Sequence, residues 1–246
     1  MPTKEDLKYF QAMPLDIKIG LTRNRIREWV SYYGEDGVYV SFSGGKDSTV
    51  LLHIVREMYP DIEAVFVNTG LEYPEIQIKK FEKMTDKKPL IATMAQESIN
   101  RETAWLKHGC NAFKSNWPKS QPMSFWTEQD VLQYIKQYNL PIASVYGDVV
   151  YAEQPEQIRL DGCESGKLAT TGCDRTGCIF CAFGCHLEKE PSRFQRLKET
   201  HPKQYEYCIG GGEYVDGIWQ PNKQGLGMGH VFDELNKIYG EGFIKY

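Results

Sequence analysis

Val38-Tyr39-Val40-Ser41-Phe42-Ser43-Gly44-Gly45-Lys46-Asp47-Ser48-Thr49, running on into the apolar stretch Val50 to Met58, decides how the chain is read. A short β-branched and aromatic run predicts a strand over 38–42, and the apolar repeat after Asp47 predicts a helix over 47–58. A glycine-rich turn between strand and helix is the arrangement that builds an anion site. Gly44 and Gly45 let the backbone come close to a ligand, and the free amides of the helix start, with the helix dipole, favour negative charge there. Lys46 supplies a point charge for a phosphate oxygen, and Ser43 and Ser48 supply hydroxyl donors. The GxxxxGK[ST] spacing is absent, so this is a different phosphate loop from the Walker type. The plainer alternative is a Gly-Gly turn with Asp47 as a capping residue.

Working outward, strands alternate with helices. Asp16 to Tyr33 reads as an amphipathic helix, with Ile17, Ile19, Leu21, Ile26, Trp29 and Val30 among Arg and Lys. A second strand, Ala64-Val65-Phe66-Val67, ends in Asn68-Thr69-Gly70, and a helix is predicted from about Pro74 to Met84. Leu90-Ile91-Ala92-Thr93 reads as a third strand before a helix from about Glu97 to Lys107. The short connections predict crossover units and a three-layer, parallel α/β sheet. Ligands of such sheets bind beyond the carboxyl ends of the strands, where the loops at Ser43, Asn68 and Met94 would converge. Thr127 and Asp130 form a near capping box for a helix reaching about Tyr138. From Gly147 to Pro191 periodicity disappears, and helices return at roughly 191–208 and 230–239, separated by Gly210-Gly211-Gly212. The expected division is a nucleotide-binding α/β domain over 1–146 and a Cys-rich region with C-terminal helices over 147–246.

Composition sets bounds. The chain has 246 residues, 41% hydrophobic and 25% charged, with a formal net charge of −4, which is ordinary for a globular protein with one main core. That charge gives no global attraction to nucleic acid or membrane, so a nucleic-acid partner would have to use local patches such as Lys79, Lys80, Lys83, Lys87 and Lys88, or Arg193, Arg196, Lys198 and Lys203. The lysine run reads first as an ordinary solvated helix face. Without a hydrophobic leader or a run of membrane-spanning length, a cytoplasmic location is expected. Of the seven cysteines, Cys163, Cys173, Cys178, Cys181 and Cys185 crowd one stretch, while Cys110 and Cys208 stand alone. In a reducing compartment such clustering points to metal ligation or redox chemistry. Cys178-x-x-Cys181 can clasp one centre, and Cys173 and Cys185 can complete four sulfurs around an iron–sulfur cluster or zinc. Cys163 could replace Cys173, or carry sulfur.

Taken together, Ser43 to Ser48, Val67 to Gly70, Thr93-Met94-Ala95-Gln96-Glu97-Ser98-Ile99-Asn100-Arg101 and Pro122 to Val131 resemble the phosphoadenosine phosphosulfate reductase family. The likeness is particularly to a reductase-like branch of bacteria and their phages, within the PP-loop ATP pyrophosphatase superfamily. The loop looks like that superfamily's SGGxDS, whose members cleave ATP between the α and β phosphates. The ES-x-x-R and P-x-x-x-W-x-x-x-D-V elements recur in this order, and Thr176 to Glu188 resembles the branch's Cys-rich stretch. The resemblance implies the adenine nucleotide α-hydrolase fold. It implies ATP or phosphoadenosine phosphosulfate bound by Ser41, Ser43, Gly44, Gly45, Lys46, Asp47, Ser48, Asn68, Thr69 and Gly70, with Lys46, Asp47 and Arg101 catalytic. Asp47 would meet Mg²⁺, and Arg101 would grip an anion rather than merely pair with Glu97 four residues back. The resemblance also favours a 4Fe–4S cluster on Cys173, Cys178, Cys181 and Cys185 over zinc.

Two departures bear on the reaction. Sulfonucleotide reductases usually carry a degraded loop, whereas SGGKDS is intact here, and no cysteine follows Cys208. Both favour ATP activation for sulfur transfer, with a sulfur donor protein or a thiol reductant as partner, over reduction of phosphoadenosine phosphosulfate to sulfite. The stretch from Glu75 to Pro89 is also short for the family. A catalytically silent nucleotide sensor is disfavoured because Lys46 and Asp47 are both retained.

Overall fold

In the computed structural model the residues described are 2–66, 87–152, 166–173, 179–182, 184–188 and 190–246. They fall into two compact units, Met1–Ile179 and Phe180–Tyr246. This division comes later in the chain than the 146/147 boundary drawn from composition. The reason is that residues just past 146 fold back onto the first unit.

The first unit is built on β1 (Val38–Ser41), flanked by β2 (Ala64–Val65) and β3 (Lys88–Ile91), in the order β2-β1-β3. Both pairings are parallel, with Val40 opposite Ala64 on one side and Leu90 on the other. Ser120 extends the sheet past β3: its carbonyl accepts from the Ile91 amide at 2.8 Å and its amide donates to the Pro89 carbonyl at 3.0 Å. The parallel α/β class expected from the alternating pattern is therefore present. The third strand lies slightly earlier than the expected 90–93, because Leu90, fully buried, aligns with Val40. The helix expected over 74–84 lies outside the described residues.

Helix α1 (Lys4–Gln11) opens with a Thr3–Asp6 capping box that the sequence reading did not use. Helix α2 (Leu15–Tyr33) buries Ile19, Ile26, Trp29 and Val30, which fall on one stripe at helical spacing. Helix α3 (Lys46–Met58) buries Val50, Leu51, Ile54 and Val55 completely, each contributing about 1.5–3 kcal/mol of transfer energy. It packs on β1, α2 and α5. Helix α4 (Ile99–His108) starts from Ser98, whose side chain accepts from the Arg101 amide.

Helix α5 (Glu128–Tyr138) is capped by Thr127 and Asp130. The Asp130 carboxylate also meets Lys18 of α2 at 2.7 Å, and both side chains are almost entirely buried. Lys18 donates a second bond to the Gln11 carbonyl, also at 2.7 Å. Trp126 donates through its indole N–H to the Thr22 hydroxyl at 2.9 Å, and Thr22 donates in turn to the Pro122 carbonyl at 3.2 Å. Pro122, Trp126 and Asp130 thus all tie the segment before α5, and α5 itself, to α1 and α2. Gln129 holds Leu168 through both backbone groups, accepting at 2.8 Å and donating at 2.9 Å. Leu168 belongs to β5 (Leu168–Thr170), antiparallel to β4 (Val149–Tyr151). This pair corrects the expectation that regular structure ends at Gly147; strands of three residues are too short to leave a periodic trace in the sequence.

The second unit holds α6 (Arg193–Thr200), α7 (Pro202–Ile209), β6 (Gly212–Val215), β7 (Ile218–Pro221) and α8 (Met228–Tyr239). The single helix expected over 191–208 is broken at His201, because Pro202 takes the first position of a new helix. Gly212, expected in the segment separating the two helices, opens a hairpin there. Asp216-Gly217 adopts positive φ at both residues (52° and 79°), the turn chemistry that Asp-Gly favours.

Removing either Lys18 or Asp130 alone strands its partner inside the protein. Lys18→Ala or Asp130→Ala is therefore expected to lower unfolding stability by about 3–5 kcal/mol in urea titrations. The double change Lys18→Met/Asp130→Leu should cost less than either single change.

Candidate functional site

The loop after β1 is braced by its own side chains. Ser43 and Ser48 hydroxyls lie 3.1 Å apart, the Ser43 amide donates to Ser48 Oγ at 3.3 Å, and Ser48 donates to the Gly45 carbonyl at 2.9 Å. Thr49 also donates to that carbonyl through its hydroxyl at 3.0 Å. Gly44 has φ +76°, a conformation that favours glycine. The result is a tight turn with Ser43 facing solvent and Gly45, Lys46 and Ser48 buried.

Lys46 is the unusual residue. It is only 2% exposed and stands at the first position of α3, the positive end of the helix dipole. Burial and dipole both disfavour a cation there. Glu128, the first residue of α5, compensates, with Oε1 3.2 Å from Lys46 Nζ. Tyr146, buried, receives a hydrogen bond from the Lys46 amide at 3.2 Å and has its ring 5.5 Å from the ammonium. Neither Glu128 nor Tyr146 stood out in the sequence as a site residue. Glu128 lies in the quoted Pro122 to Val131 stretch, but nothing local ties it to a lysine so distant in the chain.

The turn carrying Tyr146 is held from the other side. The Gly172 amide donates to the Tyr146 carbonyl and the Cys173 amide to the Val145 carbonyl, both at 2.9 Å. A Cβ on Gly172 would lie 2.4 Å from the Val145 carbonyl oxygen, so only glycine fits this approach. The backbone at Cys173 is thereby linked, through the 145–146 turn, to the phosphate-loop lysine.

Other expected site residues are placed as follows. Asp47 lies in the first turn of α3, and Ser41 ends β1. Arg101 pairs with Glu97 four residues back, and Glu97 also accepts from the Met94 amide at 2.7 Å. Asn68, Thr69 and Gly70 lie outside the described residues, as do Cys163, Cys178, Lys79, Lys80 and Lys83. His53 packs against Tyr134, whose hydroxyl is 2.9 Å from Nδ1. Of the basic run after the cysteines, Arg193 and Arg196 are engaged by Glu188 and the Pro191 carbonyl.

None of the described cysteines is in a disulfide. Cys110 and Cys208 are buried, and burial pushes both thiols up, Cys208 to about 12; neither is a nucleophile near neutrality. Cys173 and Cys185 are also buried, and Cys181 is partly so. Burial raises the Cys185 thiol against the opposing field of Arg193. Among the described residues no three His, Cys, Asp or Glu side chains gather as a metal site, and Cys178 falls outside that set. Thiols free of disulfides are suitable soft donors for an iron–sulfur centre, and the Asp47 carboxylate is a hard donor of the kind Mg²⁺ takes. No described helix is long and apolar enough to cross a membrane.

Residues 37–119 match the family model described as the phosphoadenosine phosphosulfate reductase domain. That match takes in β1, the phosphate loop and α3 and ends at residue 119 of 246. An uncharacterized protein of Methanocaldococcus jannaschii is 41% identical over 194 residues, covering 68% of this chain. The chain spans only 45% of that relative. Among solved structures, Candida glabrata FMN adenylyltransferase with ATP superposes at a TM-score of 0.42 and 16% identity, covering 57% of this chain and 64% of that one. The same enzyme with FMN and an ATP analogue gives 0.41 and 14%, covering 57% and 66%. Likeness at that level bears on neither substrate nor reaction.

Glu188 accepts from the Arg193 backbone at 2.8 Å and from its guanidinium at 2.7 Å, and Arg193 also donates to the Cys181 carbonyl at 2.8 Å. Burial alone would raise the Glu188 carboxyl, but the bonds from Arg193 outweigh it and hold the group below the usual carboxylate range. A carboxyl lowered by folding adds stability above its unfolded pKa and loses that contribution as pH falls through its folded value. Glu188→Gln should therefore flatten the acid side of the stability profile, read as melting temperature between about pH 7 and about pH 3.

Proposed function

We propose that the protein is an ATP-dependent sulfur-transfer enzyme on a three-layer adenine nucleotide α-hydrolase fold. The observation that carries this reading is the buried Lys46 at the first turn of α3, beside the Ser43 and Ser48 hydroxyls and the backbone of Gly44 and Gly45. A cation in that position gains most from an anionic ligand, and the phosphates of an adenine nucleotide are the ligand the family match favours. Lys46 and the loop amides would hold the phosphates and stabilise charge on their oxygens as an acceptor oxygen attacks the α-phosphorus. The α–β bridge breaks, pyrophosphate leaves, and the acceptor is adenylylated. Mg²⁺, bound with help from Asp47, would neutralise phosphate charge. A sulfur nucleophile from a donor protein or a cysteine persulfide then forms the new bond as AMP departs, and a thiol reductant cleaves the remaining persulfide S–S bond. Arg101, released from Glu97, is the candidate second anion contact, and Asn68-Thr69-Gly70 the candidate nucleoside end. The acceptor class extends to a nucleic acid, and the chemistry suits a cytoplasmic setting. We assign 1–146 to nucleotide binding and 147–246 to the metal-binding region and its helices.

The domain matched by residues 37–119 supports a second reading, reduction of phosphoadenosine phosphosulfate or adenylylsulfate to sulfite. Pyrophosphate release from ATP against sulfite release from phosphoadenosine phosphosulfate separates the two. Lys46→Ala should weaken nucleotide binding or turnover by about 1.5–3 kcal/mol in either case. Unchanged affinity and rate in that variant would remove the loop from the mechanism.

The cysteine spacing suits zinc or an iron–sulfur centre, and the family resemblance favours a 4Fe–4S cluster on Cys173, Cys178, Cys181 and Cys185. Protein purified without oxygen should be brown, and Cys178→Ser or Cys181→Ser should abolish the colour while Cys110→Ser and Cys208→Ser leave it. Colourless protein carrying stoichiometric zinc would replace the cluster by a structural metal.

A further inference from the structure

We propose that Glu128 sets an affinity threshold at the phosphate loop: by occupying Lys46 it keeps single small anions from binding measurably and leaves the site to a polyphosphate chain that touches more of the loop. The inference rests on the loop being an anion site, as proposed above.

Lys46 offers an incoming phosphate two groups, its ammonium and its amide. Both are engaged within the protein, the ammonium with the Glu128 carboxylate at 3.2 Å and the amide with the Tyr146 hydroxyl at 3.2 Å. A carboxylate on a lysine at a helix start stands where a phosphate oxygen would stand. Glu128 is held loosely enough to leave, since its side chain is 39% exposed against 3% for Lys46. Its backbone is fixed, because Thr127 and Asp130 cap the helix and Gln129 is locked to Leu168. The carboxylate can therefore swing outward while its anchor stays in place.

A bare lysine at a helix N-terminus takes phosphate or sulfate readily. Here a single anion must break one charge-assisted contact to make another, so the exchange returns little. A diphosphate or longer chain displaces Glu128 as well, but it also reaches the turn at Gly44 and the exposed Ser43, contacts that a monophosphate on Lys46 does not span. The carboxylate thus subtracts a similar amount from every anion and leaves net affinity only to those that touch more of the loop.

Isothermal titration of inorganic pyrophosphate, phosphate and sulfate into the full chain tests this, with Glu128→Gln, Glu128→Asp, Lys46→Ala and Lys46→Ala/Glu128→Gln compared with the unmodified protein. Removing the charge should tighten phosphate and sulfate by about tenfold. Pyrophosphate should tighten by a similar factor, so phosphate and sulfate enter the measurable range while the ratio of affinities stays as it was. Glu128→Asp should retain the suppression, and the double variant should lose the gain, showing that it passes through Lys46. A melting temperature within a few degrees of the parent checks that α5 is intact. If the unmodified protein binds pyrophosphate through Lys46 and Glu128→Gln leaves phosphate and sulfate unchanged or weaker, the inference fails and the loop reading stands. If pyrophosphate binding is absent, or is indifferent to Lys46→Ala, both fail.

Discussion

The first turn of α5 is the constraint on which the first unit depends. Four consecutive residues there act in different directions. Thr127 caps the helix, Glu128 balances the phosphate-loop lysine, Gln129 completes the backbone of β5, and Asp130 neutralises a lysine buried on α2. Each partner comes from a separate element, so the turn fixes where α2, α3 and β5 meet α5. The Asp130 carboxylate receives Lys18 together with the Thr127 amide and hydroxyl, at 2.6–2.7 Å. A charge this buried needs that many donors, since desolvation would otherwise exceed the attraction. The arrangement also fixes register: shifting α5 by one residue would place Gln129 or Val131, neither of them charged, opposite Lys18.

From that anchor the electrostatics of the loop follow. A lysine buried at the positive end of a helix is doubly disfavoured, and a carboxylate and a phenol beside it offset that cost. Such a site is organised before any ligand arrives, which removes the need to reorient dipoles when charge develops. It is also self-satisfied, so a ligand has to outcompete internal groups. The loop's hydroxyls are likewise committed to one another and to the Gly45 carbonyl. The turn's shape is therefore set by bonds within Ser43 to Thr49 together with the Tyr146 phenol, while the charge of its lysine is balanced from α5.

Much of this was legible in the chain and some was not, for definable reasons. Helices α2, α3 and α5 carry apolar stripes and caps, and β1 carries its β-branched run, so periodicity locates them within a residue or two. The strands β4 and β5 are too short for alternation to register. The α6–α7 break at Pro202 and the Asp216-Gly217 hairpin had local signals, an interior proline and a turn dipeptide, outweighed by the surrounding helical and glycine-rich pattern. Lys46 could be singled out because glycines, serines and an aspartate surround it in sequence. Glu128 could not, because its partner is far away along the chain, and pairing of that kind has no period. Arg101 illustrates a different limit: the spacing from Glu97 permits both an ion pair and an anion contact, and the structure contains the ion pair.

The backbone around Cys173 gives the cysteine stretch a physical relation to the loop that spacing alone does not convey. Gly172 comes so close to Val145 that a side chain is excluded, and the paired amides of Gly172 and Cys173 fix the turn presenting Tyr146 to Lys46. Thr171 continues the contact, donating its amide to the Asp148 carbonyl at 3.0 Å and accepting from the Asp148 amide through its hydroxyl at 2.9 Å. The backbone of Gly172 and Cys173 therefore holds the 145–146 turn from one side while the Tyr146 phenol accepts from the Lys46 amide on the other, so one turn is shared by Cys173 and the phosphate loop.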